Sequence, residues 1–172
     1  MYMHNHTIFI CFIFLLALLT QAGCESGIAS SQFSGRVISI ADGDTITVLT
    51  ADNRQVKIRL YGIDCPESRQ AFGNRARQTT SDAVSGKEVT VQPIETDKHG
   101  RTVGIVSISG DYNLDTLLVR EGMAWVYPQF CKREKVCKPL RELEKTAKSE
   151  KRGLWADKEP IPPWEWRRAH RQ

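Results

Sequence analysis

Residues 35–62 hold three β-branched runs, "GRVISIA", "TITVLT" and "RQVKIRLYG", parted only by the turns "DGD" and "ADN". Asp-Gly between such runs is a strong hairpin signal, so the segment is expected to fold as an antiparallel meander. In the third run Val56, Ile58 and Leu60 alternate with Lys57, Arg59 and Tyr61. A period of two places the first set on a buried face and the second on the opposite one. Two further runs, "EVTVQPIE" and "TVGIVSI", flank the polar turn "TDKHGR", Thr96 to Arg101.

Helical periodicity fills the gaps. Residues 71–84, "AFGNRARQTTSDAV", read as an amphipathic helix ended by Gly86. "NLDTLLVREG" reads as a short helix stopped by Gly122, and "MAWVY" as a short extended piece. Pro139 is expected to open a last helix, with Leu140, Leu143 and Ala147 on one face and Gly153 at its end. The tail "LWADKEPIPPWEWRR" is expected to lie across the body as extended chain, with Trp155 packed. Five short strands with a helix after the third and others after the fifth indicate an α+β fold. Its core would be a five-stranded Greek-key barrel of OB type, with about three helices packed around it.

The first two dozen residues are set apart. Ile8 to Leu19, "IFICFIFLLALL", is an apolar run too short to span a bilayer and is followed by "TQAGC", the layout of a secretory signal peptide. Thr20 and Ala22 offer one cleavage site. "QAGC" also resembles the end of a lipobox, with Gln21 where leucine is usual, and would make Cys24 a lipidated first residue attached to a membrane. Residues 1–23 are thus assigned to a signal, 34–156 to the folded domain and 157–172 to a Pro/Trp-rich basic tail. The protein is expected to be exported: periplasmic, secreted or lipid-anchored. Cys11 leaves with the signal. An oxidising compartment favours a local disulfide between Cys131 and Cys137 over a zinc site, which needs more soft ligands than the region offers. Cys65 is left as a buried free thiol.

Charge is uneven. Residues 132–172 carry 13 Lys/Arg against 7 Asp/Glu, while the remainder carries 11 against 13. A basic C-terminal third can face an anionic partner, though a solvated helix face is the commoner outcome of a charge run.

Three polar clusters fall at strand ends or turns: "DGDT" (Asp42 to Thr45), Arg59 with "DCPE" (Asp64 to Glu67), and "DKHGR" (Asp97 to Arg101). Singly, each also fits a turn or a helix cap. Together, "ADGDT", "IRLYGIDCPE", "TDKHGR", "LVREGMAWV" and "LRELEKTAKSEKRGLW" resemble the staphylococcal nuclease (thermonuclease) family in order and approximate spacing, from about Ser34 to Trp155. The resemblance implies an OB-fold and a calcium-dependent endonuclease acting on DNA and RNA and leaving 3′-phosphate ends.

Carried over residue by residue, it implies Asp44, Asp64 and the backbone carbonyl of Cys65 as Ca²⁺ ligands, a hard-oxygen set. The family often has threonine where this chain has Cys65. Glu67 would be the general base or the orienter of the attacking water. Arg59 and Arg101 would grip the phosphate and its transition state. Lys98, His99 and Tyr127 would contact substrate, His99 standing where the family often has tyrosine. Trp125 is as well suited to the core as to base stacking. Nothing in the sequence indicates an oligomer, so a monomer is expected. The rival reading from another class is a catalytically silent OB-fold that only binds nucleic acid or protein, and a third is a structural lipoprotein resting on "QAGC" and the basic tail. The presence of every expected carboxylate and arginine weighs against the silent OB-fold, while the lipoprotein reading predicts no consequence from changing Glu67.

Overall fold

A computed structural model describes residues 31–110 and 112–170. The signal-peptide reading and the lipidation of Cys24 lie outside the described residues.

The strands are β1 (Phe33–Asp42), β2 (Thr45–Thr50), β3 (Gln55–Leu60), β4 (Ile63–Asp64), β5 (Glu88–Thr96), β6 (Thr102–Ser109), β7 (Tyr112–Asn113) and β8 (Trp125–Val126). The helices are α1 (Gly73–Val84), α2 (Leu114–Arg120), α3 (Glu134–Ser149) and α4 (Pro163–Ala169), with a 3₁₀ turn at Gly153–Ala156. Strand order is β3-β2-β1-β5-β6-β7, and parallel pairing of β3 with β6 closes β1, β2, β3, β5 and β6 into a five-stranded barrel. The fold is α+β with the OB-type barrel expected. Closure abolishes the free edges that an open sheet of this size would expose. Irregularities in the β1–β2 ladder at Val37/Ser39 and Ile40/Asp42 supply local bending.

The barrel is filled by Val37, Ile46, Val48, Ile58, Leu60, Val89, Val91 and Val106, all essentially inaccessible. Ala76 and Val84 of α1, Leu114 and Leu118 of α2 and Leu140 of α3 pack against the same core. Each such aliphatic side chain contributes about 1.5–3 kcal/mol by leaving water.

The β1–β2 turn pairs Asp42 with Thr45, leaving Gly43 and Asp44 as its two central residues. Gly43 is not in the left-handed region. It is glycine for want of space: a Cβ there would lie 2.8 Å from Cys65 Sγ and 2.9 Å from the Ala76 Cβ. Thr80 Oγ1 donates to the Gly43 carbonyl at 2.5 Å. The turn is thereby pinned between α1 and the segment after β4, which fixes Asp44 relative to Asp64.

Tyr61 departs from the expected face. β3 ends at Leu60, so the alternation stops there, and Tyr61 is buried, its hydroxyl accepting hydrogen bonds from the Lys132 and Arg133 N–H groups at 3.0 and 2.9 Å. Gly62 has φ +73°, and a Cβ would meet Cys131 Sγ at 2.6 Å. Cys131 is disulfide-bonded to Cys137, as expected, and Cys65 is a buried free thiol.

Three helix boundaries differ from expectation. α1 begins at Gly73 rather than Ala71. α3 begins at Glu134, five residues before Pro139, which lies inside the helix. The disulfide and the Tyr61 hydroxyl hold the chain before Pro139 in place, so the helix tolerates a proline one turn in, at the expense of one backbone hydrogen bond. The tail is not simply extended: Pro163 occupies the first turn of α4, a seven-residue helix that contains both Trp164 and Trp166. No helix among the described residues is long and apolar enough to cross a membrane.

Candidate active site

Where the barrel closes, the β1–β2 turn, the end of β3, β4 with the segment after it, the β5–β6 turn and the residues after β8 surround a cavity of about 740 Å³. Its lining includes all nine residues expected at a site: Asp44, Arg59, Asp64, Cys65, Glu67, Lys98, His99, Arg101 and Tyr127.

Arg59 leaves β3 away from the barrel core and forks between two carboxylates. Its Nη1 pairs with Asp44 Oδ1, and its Nη2 donates to Asp64 Oδ1 at 2.7 Å. Asp44 and Asp64 are 4 % and 1 % exposed, so their charges depend on such partners. Asp44 also accepts from the Cys65 N–H at 2.6 Å through Oδ2 and from the Thr45 hydroxyl at 3.2 Å. Burial pushes the Cys65 thiol well above its ordinary pKa, which favours its protonated form.

Asp64 owes its position to β4, whose pairing with β8 aligns Asp64 with Trp125. The chain then turns through Pro66 into Glu67, whose carbonyl accepts from the Gln70 N–H at 2.8 Å while Gln70 Oε1 accepts from the Glu67 N–H at 3.2 Å. Glu67 is left partly exposed at the cavity wall.

On the β5–β6 turn, Asp97 organises Arg101. Its carboxylate accepts from the His99 and Arg101 N–H groups at 2.8 and 3.0 Å and from Arg101 Nε at 2.7 Å. Burial pushes the Asp97 carboxyl up, but these donors outweigh it and hold its pKa below the usual value. Arg101 thus keeps its terminal nitrogens free of Asp97, while Lys98 and His99 are exposed at the tip. Tyr127 is partly exposed and edge-on to Phe130, with centroids 4.7 Å apart. Trp125 packs edge-on against Trp155 at 4.2 Å, which places it in the packing with Trp155 rather than in the cavity lining.

A further charged residue of the cavity lining stands outside the expected set. Arg167 of α4 donates to Asp64 Oδ2 through Nη2 at 2.7 Å, and through Nη1 to Glu67 Oε1 at 2.6 Å and Asp64 Oδ1 at 3.3 Å. Burial disfavours its charge, yet these hydrogen bonds prevail and raise its pKa. Trp164, one turn earlier, stacks on Tyr127 at 4.7 Å with the rings 8° from parallel. The sequence carries a local signal for α4, Pro163 at the first turn with Glu165 after it and Arg167 and Arg168 at the end. It carries none for a pairing 103 residues distant.

Among the described residues no three His, Cys, Asp or Glu side chains converge as a preformed metal cluster. Asp44 and Asp64 are nonetheless two buried carboxylates close enough to share the Arg59 guanidinium. Their oxygens suit a hard divalent ion completed by backbone carbonyl and water. The site can therefore join a hard cation, the Glu67 carboxylate and two arginines around one anionic group.

Residues 57–157 match the family described as staphylococcal nuclease homologue. The chain is 43% identical over 150 residues to a micrococcal nuclease from Shigella flexneri, covering 82% of this chain and 84% of that protein. It is 39% identical over 137 residues to an uncharacterized endonuclease from Escherichia coli O157:H7, covering 80% and 86%. It is 37% identical over 157 residues to an uncharacterized endonuclease from Haemophilus influenzae, covering 91% and 85%.

Proposed function

The chain belongs to the staphylococcal nuclease family and is a nuclease-type phosphodiesterase by that membership, and we propose that it is a calcium-dependent endonuclease cleaving DNA and RNA with low sequence specificity to leave 3′-phosphate ends. The observation that carries this reading is the Arg59 fork between two buried carboxylates in the cavity that Glu67 and Arg101 also line.

Asp44, Asp64 and the Cys65 carbonyl would hold Ca²⁺, which when bound supplies charge neutralisation and polarisation of a phosphoryl oxygen. Glu67 takes a proton from, or orients, the water that attacks phosphorus. Arg59 and Arg101 present planar, permanently charged donors to the equatorial oxygens, where negative charge gathers in the transition state. The new bond joins the water oxygen to phosphorus, the P–O5′ bond breaks, and solvent protonates the leaving 5′-oxygen. Lys98 and His99 hold flanking phosphates, and Tyr127 offers a face to a base. Donors aimed at phosphate oxygens rather than base edges account for low sequence specificity.

Export is part of the same proposal, supported by the Cys131–Cys137 disulfide, a bond at home in an oxidising compartment. Whether the chain is freely secreted or held at the membrane through a lipidated Cys24, it would act as a monomer.

A 5′-labelled single-stranded DNA and its RNA counterpart test the reading when incubated with Ca²⁺ or with excess chelator. Both should be cut at many positions only with Ca²⁺, and the labelled products should shift in mobility on treatment with a 3′-phosphatase. Products indifferent to phosphatase would refute the assigned bond, and cleavage persisting in chelator would refute the calcium requirement.

A further inference from the structure

Arg167 lies where a divalent cation has to bind. Both Asp64 oxygens accept hydrogen bonds from guanidinium groups: Oδ1 from Arg59 and Arg167, Oδ2 from Arg167. A calcium ion needs one of those oxygens at about 2.3–2.6 Å. It cannot take it while a second positive charge fills the same position. Arg167 Nη1 also occupies Oε1, one of the two oxygens of the Glu67 carboxylate that would face the attacking water. Trp164 meanwhile covers the ring of Tyr127 on which a nucleobase would stack. Three parts of the proposed machinery are blocked by one helical turn.

The element that blocks them is lightly held. α4 has seven residues, too few to be stable as a helix alone. It follows the segment Asp157–Pro162, whose prolines 160 and 162 favour extended chain. Among the described residues the hydrogen bonds joining residues 157–170 to the rest of the domain are those of Arg167, one from Gln70 Nε2 to the Ile161 carbonyl at 2.6 Å, and at its root one from the Asp157 N–H to the Leu154 carbonyl at 3.2 Å. Trp164 adds its stack on Tyr127 and an edge contact with Trp125 at 5.8 Å. Such a segment belongs to the low-stability end of a fold.

We propose, resting on the nuclease reading above, that α4 is a strap that closes the site: the Arg167 guanidinium takes the cation's place on Asp64 and ties up Glu67, and a divalent cation opens the site by displacing it. Once Arg167 leaves, Trp164 loses its anchor one turn away, and Tyr127 becomes available to a base. Cation binding and strap closure are then mutually exclusive, so weakening the strap tightens the cation.

The test is calorimetric titration of Ca²⁺ into the full-length chain and three variants, each checked for an unchanged melting curve. Arg167→Gln removes the competing charge and should bind Ca²⁺ about tenfold tighter, because it abolishes charge-assisted hydrogen bonds present only in the closed form. Trp164→Ala loosens the strap with Arg167 in place and should tighten Ca²⁺ by about threefold, with Arg168→Gln, which changes the same net charge on an exposed neighbour, unchanged. Deuterium uptake across residues 163–169 of the unaltered protein should rise when Ca²⁺ is added. Equal Ca²⁺ affinity in all four proteins, or uptake indifferent to Ca²⁺, together with Ca²⁺-dependent cleavage of DNA, would overturn the strap and leave the nuclease reading intact. No Ca²⁺ binding and no cleavage by any of the four would overturn both.

Discussion

Arg59→Gln isolates what the buried carboxylates require. Arg59 is 15 % exposed on its side chain and is the cation shared by Asp44 and Asp64, at 6 % and 1 %. Removing one partner of a buried ion pair costs about 3–5 kcal/mol, because the remaining charge is left without compensation. The loss here is smaller. Arg167 still serves Asp64, and the Thr45 hydroxyl and Cys65 N–H still serve Asp44. A destabilisation of about 2 kcal/mol in chelator follows. Calcium then discriminates: at a hundred times its Kd a ligand adds about 2.7 kcal/mol to the folded state. Carboxylates freed of Arg59 should bind the ion more tightly. A tenfold gain in affinity would narrow the gap between variant and parent by about 1.4 kcal/mol in saturating Ca²⁺. Urea unfolding followed by tryptophan fluorescence measures both differences. A loss below about 0.5 kcal/mol in chelator would show that the two carboxylates do not rely on Arg59. An identical loss with and without Ca²⁺ would show that they are not the cation site.

Reducing the Cys131–Cys137 disulfide, whose cysteines are six residues apart, should cost about 2 kcal/mol in the chain-entropy model and lower the Tm by about 6 °C in a reductant-dependent melt. Tyr61→Phe keeps the ring but strands the Lys132 and Arg133 N–H groups at the entrance to α3, which predicts a loss of about 2 kcal/mol by urea unfolding with little change in m. Asp115 is buried, and burial raises its pKa despite hydrogen bonds from Thr116. Its protonated form is favoured by folding, so its contribution is full below the unfolded carboxylate pKa of about 3.9 and is lost as pH rises through the folded value. Asp115→Asn should therefore be more stable than the parent at pH 7, with the difference vanishing below about pH 4 in a pH series of melts.

The barrel was legible because its strands alternate and its turns are short. β2 and β3 in particular carry a period-two pattern that only a half-buried sheet explains, and α1 carries a helical one. Reading failed where a long-range contact overrode the local pattern. Pro139 marks a helix start in isolation, yet Tyr61 and the disulfide stabilise the turn before it. Tyr61 extends the alternation of β3 on paper, but the strand ends one residue earlier and the ring turns inward. The Asp-Gly hairpin signal marks the turn at Gly43, but not the close contacts with Cys65 and Ala76 that leave no room for a side chain there. The site followed the same division. Three clusters at strand ends marked candidate residues, and family resemblance supplied their roles. The pairing of Arg167 with Asp64 and Glu67 joins residues 103 and 100 positions apart and leaves no periodic trace.

The most direct measurement is cleavage of heat-denatured DNA by the purified protein in Ca²⁺ and in excess chelator, with a folded Glu67→Gln variant alongside. Calcium-dependent cleavage by the parent that falls by at least about a hundredfold in the variant is the predicted result. Cleavage by the variant at the parent's rate would contradict the role given to Glu67, and no cleavage by well-folded parent protein across several pH values would contradict the enzyme itself.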